Sequence, residues 1–303
     1  MLALVCSSDV CDPAQLREVE EPSPASNEAL VEVKAMAINR GELRLLATRP
    51  EGWRPGQDIT GVVIEPAADG TGPARGQRVV ALVDQAGWSE RVAVPASRIG
   101  ALPDGVSFSA AATLPVAGLT ALRALRLGGS LLGKRVLVTG AAGGVGHFAI
   151  QLARRSGARV TAVVGRPERG EGLRELGASH VVVETDDLER PFDLVMESAG
   201  GSLLTAALNS LAEDAVVVMY GNSSGEPASL VFGRPRARIQ RFFVYESGDS
   251  PTFGQDLGLM AELIPSGDLH PGVGFEGTWR ESIKALTALR ERRVAGKAVL
   301  TID

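Results

Sequence analysis

Apolar positions change their spacing twice along the chain. Over the first hundred residues they come in short runs broken by Gly and Pro. Residues 1–5, 29–37, 61–65, 77–82 and 89–95 read as strands, and only 41–47 has helical spacing. This predicts a small β-barrel-like domain. From 109 to 127, Ala and Leu recur at helical intervals interrupted by Pro115 and Gly118, which predicts one or two helices. Strand and helix signals then alternate. Strands are predicted at 135–139, 160–164, 180–183, 192–197, 215–220 and 242–245, and helices from 148 to about 155, at about 169–176 and at 202–211. Such alternation predicts a parallel sheet covered by helices, an α/β doubly wound fold. Helices at 257–264 and 278–290 and a strand at 297–302 complete the pattern, with Gly296 as a helix-ending turn.

Composition narrows the function classes. A chain of 303 residues with 45% hydrophobic residues can build two ordinary domains, and a net charge of −5 with pI near 5.4 argues against a nucleic-acid surface. The basic cluster Arg234, Arg236, Arg238 and Arg241 is expected in a solvated connection, or at the border of a site for an acidic group. Cys6 and Cys11 are the only cysteines, so no disulfide framework is indicated and a reducing compartment is expected. His147, His180 and His270 lack metal-ligand spacing. The first residues show no cleavable leader pattern, and no apolar run approaches the roughly 18 residues needed to cross a bilayer. These features lead to the expectation of a cytoplasmic protein.

The chemistry concentrates at 135–151, where a buried strand, a glycine turn and a helix start follow one another. Ala141-x-Gly143-x-x-Gly146 is the dinucleotide fingerprint with its first glycine replaced by alanine. Gly143 would let a pyrophosphate approach the main chain and Gly146 would let the helix pack on the strand. The helix N-terminus would offer free N–H groups and partial positive charge. With 36 glycines in the chain, the triplet gains its weight from the strand before it and the helix after it.

The tip of the next strand bears on which dinucleotide. An NAD site usually places Asp or Glu there, about 20 residues beyond the glycines, for the ribose 2′-hydroxyl. Here Val163-Val164-Gly165-Arg166 ends the strand with Arg169 behind it. A guanidinium pairs with a 2′-phosphate through two parallel hydrogen bonds, so NADPH is expected over NADH. The alternative is that Arg166 and Arg169 are solvated turn residues neutralised by Glu168 and Glu171. The pieces 197–201 and 220–223 also fall just beyond strand C-terminal ends, where open α/β sheets bind ligands; ordinary turn chemistry explains their Gly, Asn and Ser as well.

Seven short segments in order carry a resemblance: Ile38-Asn39-Arg40-Gly41-Glu42-Leu43, Pro55-Gly56-Gln57-Asp58-Ile59-Thr60-Gly61, residues 114–121, 141–146, 174–178, 192–201 and Gly296-Lys297-Ala298-Val299-Leu300. Together they resemble the medium-chain dehydrogenase/reductase superfamily, in its zinc-free quinone oxidoreductase and enoyl reductase branch, across nearly the whole chain. The resemblance implies a GroES-like catalytic domain from 1–108 and 250–303, a Rossmann domain at 109–249, an active site in the cleft, and commonly a homodimer joined through the Rossmann sheets at the 242–245 strand. Zinc-dependent relatives carry Cys where Asn39 stands, Gly-His-Glu where Gly56-Gln57-Asp58 stands, and an inserted lobe with four cysteines; this sequence has none of these. Without a Lewis acid to hold an alkoxide, reduction of a conjugated C=C or a quinone becomes the expected reaction.

On that resemblance, the backbone of Ala142, Gly143, Gly144 and Val145 would hold the pyrophosphate, and Gly165, Arg166 and Arg169 would surround the 2′-phosphate. Thr120 would sit near the nicotinamide, and Ser198, Gly221 and Tyr245 would line the cofactor groove. Asn39 would face the nicotinamide and the substrate carbonyl as a donor to developing oxyanion charge, or would stabilise its turn. The proton donor stays open among Tyr245, Arg40 and water, and Asp58 is expected to stabilise its turn. The leading expectation is a zinc-independent NADPH-dependent quinone or enone reductase acting on a small molecule. The alternatives are a reductase dedicated to one biosynthetic intermediate and a non-catalytic NADPH-binding protein.

Overall fold

In the computed structural model, which describes residues 1–9, 11–183, 188, 191–231, 235–248 and 251–302, the turn-rich first stretch folds into strands and short helices. Strand β1 (Leu2–Cys6) pairs antiparallel with β2 (Ala14–Glu18). Strand β3 (Glu28–Ile38) alternates buried and half-buried residues until its last four, all of which are buried. It leads directly into α1 (Arg40–Thr48). Strands β4 (Asp58–Glu65), β5 (Arg78–Leu82), β6 (Arg91–Pro95) and β7 (Ile99–Ala101) follow. Two helices close this stretch. The first, α2 (Phe108–Ala112), is capped by the Ser107 hydroxyl, which accepts from Ala110 N–H at 3.1 Å, and the second is α3 (Pro115–Arg126), with proline in its first turn.

The middle of the chain is a second compact unit, Thr120–Ser247 with Asp268–His270. Its elements are β8 (Arg135–Thr139), α4 (Gly144–Arg155), β9 (Arg159–Val163), β10 (Ala178–Val182), β11 (Phe192–Glu197), α5 (Gly201–Leu208), β12 (Leu211–Met219) and β13 (Ala237–Arg241). All neighbouring pairs are parallel in the order β10-β9-β8-β11-β12-β13. In chain order that is 3-2-1-4-5-6, the order that defines the dinucleotide-binding Rossmann sheet, with its switch point between β8 and β11. Central strands such as β8 and β11 are buried on both faces, which explains their unbroken apolar runs. Phe192, Val195, Leu208 and Val217 form a core cluster on one side of the sheet.

The chain then returns to the first unit, which comprises Met1–Leu119, Gly248–Gly267 and Pro271–Asp303. It adds α6 (Phe253–Glu262), β14 (Val273–Thr278), α7 (Ser282–Arg290) and β15 (Lys297–Thr301). The resulting sheet runs β14-β15-β3-β4-β5-β7, with β6 also paired to β3. The larger clusters in this unit are Met36, Ile38, Trp88, Trp279 and Leu286 in one, and Val31, Val33, Ile59, Val79 and Val94 in another, with a small one around Ala35, Ala112 and Val299.

Three expected elements differ. No helix forms over 169–176: a 3₁₀ turn at Pro167–Gly170 runs into turns, and Gly172 adopts φ +72° in the left-handed region, which a right-handed helix cannot contain. The last strand of the parallel sheet is Ala237–Arg241, not 242–245, where Val244–Glu246 forms a 3₁₀ turn. An edge strand carries charged residues, so its Ala-Arg-Ile-Gln-Arg sequence is quieter than the apolar run that follows. The basic cluster is thus only partly a connection, because Arg238 and Arg241 lie in this edge strand while Arg236 stands just before it. Arg236 forms a bidentate pair with Asp214 (2.6 and 2.9 Å), Arg238 donates to Leu127 O (2.9 Å) and Arg241 pairs with Glu246 (2.6 Å); Arg234 lies outside the described residues. The structure also adds β2, β7 and β14, which are short or lack strict alternation.

Phe192 is 1% exposed at the start of β11. Truncation there leaves a cavity that a parallel sheet, pinned on both sides, cannot close. Phe192→Ala is expected to lower unfolding free energy by about 3–5 kcal/mol, read as a lower urea midpoint; a loss below about 1 kcal/mol would show that the site collapses.

Candidate active site

The backbone leaves β8 through Gly140, at φ +60°. This is the residue that the tight turn needs in the left-handed region, and Ala141 itself has an ordinary φ, so alanine at the fingerprint's first position carries no strain. Ala141 N–H donates to Val163 O (3.1 Å) at the end of β9 and Gly143 N–H to Gly140 O (2.9 Å), which fixes the turn from β8 into α4. Gly143 is the N-cap of α4. At Gly146 an added Cβ would lie 2.4 Å from the Ala141 carbonyl oxygen, so glycine is required for α4 to press on the turn. The N–H groups of Gly144, Val145 and Gly146 begin that helix without an acceptor one turn back, an arrangement that fits an anion.

Arg169 bends over this turn and donates from Nη2 to Ala142 O at 3.2 Å. Gly165 and Arg166 are exposed at the tip of β9, and Glu168 beside them is exposed too. His147 stands in the first turn of α4. Burial, reinforced by the nearby Arg169 guanidinium, lowers the pKa of its imidazole from the ordinary value. The turn is flanked by arginine guanidinium groups and by the partial positive ends of backbone N–H dipoles.

The C-terminal ends of β11 and β12 converge beside Gly140. Thr139 Oγ1 donates to Glu197 Oε1 (3.1 Å) and accepts from Ser198 N–H (2.8 Å), while the Ser198 hydroxyl donates to Thr139 O (3.1 Å). Glu197 Oε1 also receives the N–H groups of Ala199 (2.8 Å) and Gly200 (3.0 Å). A Cβ on Gly140 would lie 2.5 Å from Ser198 Oγ, and one on Gly221 3.0 Å from Ser198 O. The expected groove residues Ser198 and Gly221 thus meet each other and the glycine turn. Tyr220, at the start of the 220–223 piece, has a buried hydroxyl; burial raises its pKa above the usual phenol value, against the lowering effect of nearby Ser198. Thr120 is buried in α3, and Tyr245 is half-buried with its ring 5.3 Å from that of Phe243.

In the other unit, Asn39 directly follows β3 and is the N-cap of α1. Its Nδ2 donates to Asp58 Oδ2 at 3.0 Å, and the Lys297 ammonium donates both to Asn39 Oδ1 and to Asp58 Oδ2 (2.7 Å). Asp58 Oδ1 accepts from Val116 N–H at the start of α3 (2.8 Å). Asp58 is therefore a junction of four segments, not the stabiliser of its own turn. Asp58 and Lys297 are 0% and 4% exposed, so neither charge is satisfied by water. Glu42, fully buried, accepts from Asn39 N–H at 2.7 Å. Burial first, then the negative charge of Asp58, pushes its carboxyl up to about 8. Arg40, exposed beside Asn39, is lowered from its ordinary value by partial burial and by Arg292.

Glu42 is the member of this cluster that sequence reading missed and had the means to find, because Asn-x-x-Glu at a helix start is a capping spacing. Lys297 is different. Its partners lie 239 and 258 residues earlier, and no local pattern connects them.

Two family models match in tandem: "Alcohol dehydrogenase GroES-like domain" over residues 25–117 and "Zinc-binding dehydrogenase" over 144–262. Erythronolide synthase EryA2 of Saccharopolyspora erythraea is 34% identical over 299 residues, covering 94% of this chain but 8% of that protein. A chloroplast envelope quinone oxidoreductase homolog of Arabidopsis thaliana is 33% identical over 208 residues, 63% of this chain and 62% of that one. The chain thus spans less than two thirds of these relatives' lengths. The fold is shared with the Escherichia coli quinone oxidoreductase solved in complex with NADPH, at 23% identity, TM-score 0.86 and coverage of 99% and 100%. The chain belongs to the medium-chain dehydrogenase/reductase superfamily, an oxidoreductase family, in its quinone oxidoreductase and enoyl reductase branch.

One of those family descriptions names zinc, and the residues present do not fit it. Among the described residues no three His, Cys, Asp or Glu side chains gather as a metal-ligand group. Between Asn39 Oδ1 and Asp58 Oδ2, the place where a cation would have two oxygens, the Lys297 ammonium already sits. Among the described residues no helix is long and apolar enough to cross a membrane.

The raised Glu42 carboxyl makes a pH prediction. Between its unfolded value near 4.5 and its folded value of about 8, the native state binds more protons than the unfolded chain. Its contribution to stability is complete below that window and declines through it, at up to about 1.4 kcal/mol per pH unit. Glu42→Gln is expected to flatten the fall in urea midpoint between pH 6 and 8; equal slopes in both proteins would show that Glu42 is ionised in the fold.

Proposed function

We propose that the chain is an NADPH-dependent oxidoreductase that reduces a quinone or the C=C of an α,β-unsaturated carbonyl without a metal ion. The observation that carries this reading is the Arg169 side chain folded over the glycine turn onto Ala142 O, with Arg166 exposed beside it and no carboxylate in the residues 163–166 at and just past the end of β9. A 2′-phosphate there would meet guanidinium donors, and a charge-assisted hydrogen bond of about 1.5–3 kcal/mol corresponds to a preference on the order of tenfold to a hundredfold. The backbone of Ala142, Gly143, Gly144 and Val145 holds the pyrophosphate in this reading. Gly165 leaves room at the strand tip, and Thr120, Ser198, Gly221 and Tyr245 line the remainder of the cofactor site.

When bound, the nicotinamide supplies a hydride to the quinone or to the β-carbon of the enone. Asn39 uses its second amide proton to hold the carbonyl oxygen as it gains negative charge, and conjugation spreads that charge over the substrate. The proton that completes the reduction comes from water, Tyr245 or Arg40. The match of 94% of this chain to a small part of the erythronolide synthase favours a second reading, a reductase dedicated to one biosynthetic intermediate, which would use the same residues and ignore simple quinones.

Parallel fluorescence titrations with NADPH and NADH test the cofactor assignment, repeated with Arg166→Ala and Arg169→Ala. NADPH is expected to bind about tenfold tighter or better, with that margin lost in at least one variant. Equal or tighter binding of NADH would overturn the 2′-phosphate reading. A panel of quinones, 2-alkenals and cyclic enones then separates the two substrate readings.

A further inference from the structure

In the buried cluster of the first unit, the proposed reaction gives a use to Asn39 and none to Lys297. Lys297 is 4% exposed and opens β15, a strand in the interior of its sheet. Burying an ammonium and a carboxylate together seldom improves stability over apolar packing of the same volume. The pair therefore calls for a reason beyond holding strands together, and the reason is visible in what else it touches. Lys297 donates to the oxygen end of the Asn39 amide, and Asp58 accepts from its nitrogen end. An amide read at both ends by groups of opposite hydrogen-bonding character cannot flip without facing an ammonium with its N–H₂ and a carboxylate with its oxygen. Asp58 is itself fixed by Val116 N–H at 2.8 Å, and the Asn39 backbone by Glu42 at 2.7 Å. One amide proton of Asn39 is left over, with its direction determined.

We propose that Lys297, with Asp58 as its counter-ion, is the positioning residue of the reaction: it locks the Asn39 amide so that the remaining N–H points at the substrate carbonyl. This rests on the assignment of Asn39 made above. A merely structural lysine would support the sheet and leave turnover per folded molecule unchanged. A positioning lysine loses its effect when the group it positions is removed, so the two substitutions must not multiply.

The test is a double-mutant cycle on the full chain, with steady-state turnover of the best quinone or enone substrate, NADPH affinity by fluorescence, and the Asn39 side-chain ¹⁵N–¹H₂ resonances as readouts. Lys297→Met alone strands a buried carboxylate and is open to misfolding, so Lys297→Met/Asp58→Asn, which removes both charges, is made in parallel. Both are expected to lower kcat by about tenfold or more with NADPH affinity held within about twofold, and to shift or broaden the Asn39 amide resonances. Adding Asn39→Ala to either is expected to cost nothing beyond Asn39→Ala itself. If the charge-free variant folds and retains kcat within about twofold, or if the losses multiply, Lys297 does not act through Asn39. If Asn39→Ala alone retains full kcat, Asn39 has no part in turnover, and this inference is overturned together with that assignment, a result distinct from the first.

Discussion

A carboxylate removed from water has to find all its donors within the protein, and Asp58 finds them in three different segments. Val116 at the start of α3, Asn39 directly after β3 and Lys297 at the start of β15 each give it one hydrogen bond. Each donor comes from a residue at the end of a regular element, so the three partners are placed by the elements and not by loops. That is the physical condition for a side chain to be held to within a fraction of an ångström. The second unit meets the same condition by other means: the glycine turn is defined by β8, β9 and α4, and its tolerance is set by the 2.4 Å that a Cβ at residue 146 would leave.

The two units differ in how openly they declare themselves. The Rossmann half reads directly from the chain because a parallel strand buried on both faces is continuously apolar, and its turn needs glycine at fixed spacings. Even there, the alanine at 141 gives an incomplete motif, while Gly140, which takes the left-handed φ, lies one residue outside the pattern. The edge strand 237–241 is hidden by its own polar sequence, and the apolar 242–245 run beyond it draws the assignment away. The segment after β9 has helical composition, but a glycine at 172 in the left-handed region prevents the helix.

The Asn39 cluster shows the opposite limit. Asn39 and Asp58 stand out as motif residues, yet what each does depends on Lys297, and a contact across 239 residues leaves no trace in local periodicity. The three short segments carrying Asn39, Asp58 and Lys297 look like separate family motifs along the sequence. In the fold they are one hydrogen-bonded object. The cation on the ground between the two oxygens is the Lys297 ammonium, tethered to the strand that follows it.

The position of β15 also sets an order of assembly. It lies between β14 and β3, and its pairing with β3 joins Ala298 to Ile38 and Thr301 to Ala35. On a ribosome, residues 28–101 therefore emerge long before the strand that completes their sheet. The second unit has all its strands between 135 and 241, so it can close while the first still lacks a central member. The late-arriving strand begins with Lys297, so the charge that neutralises Asp58 is delivered in the same step that fills the sheet.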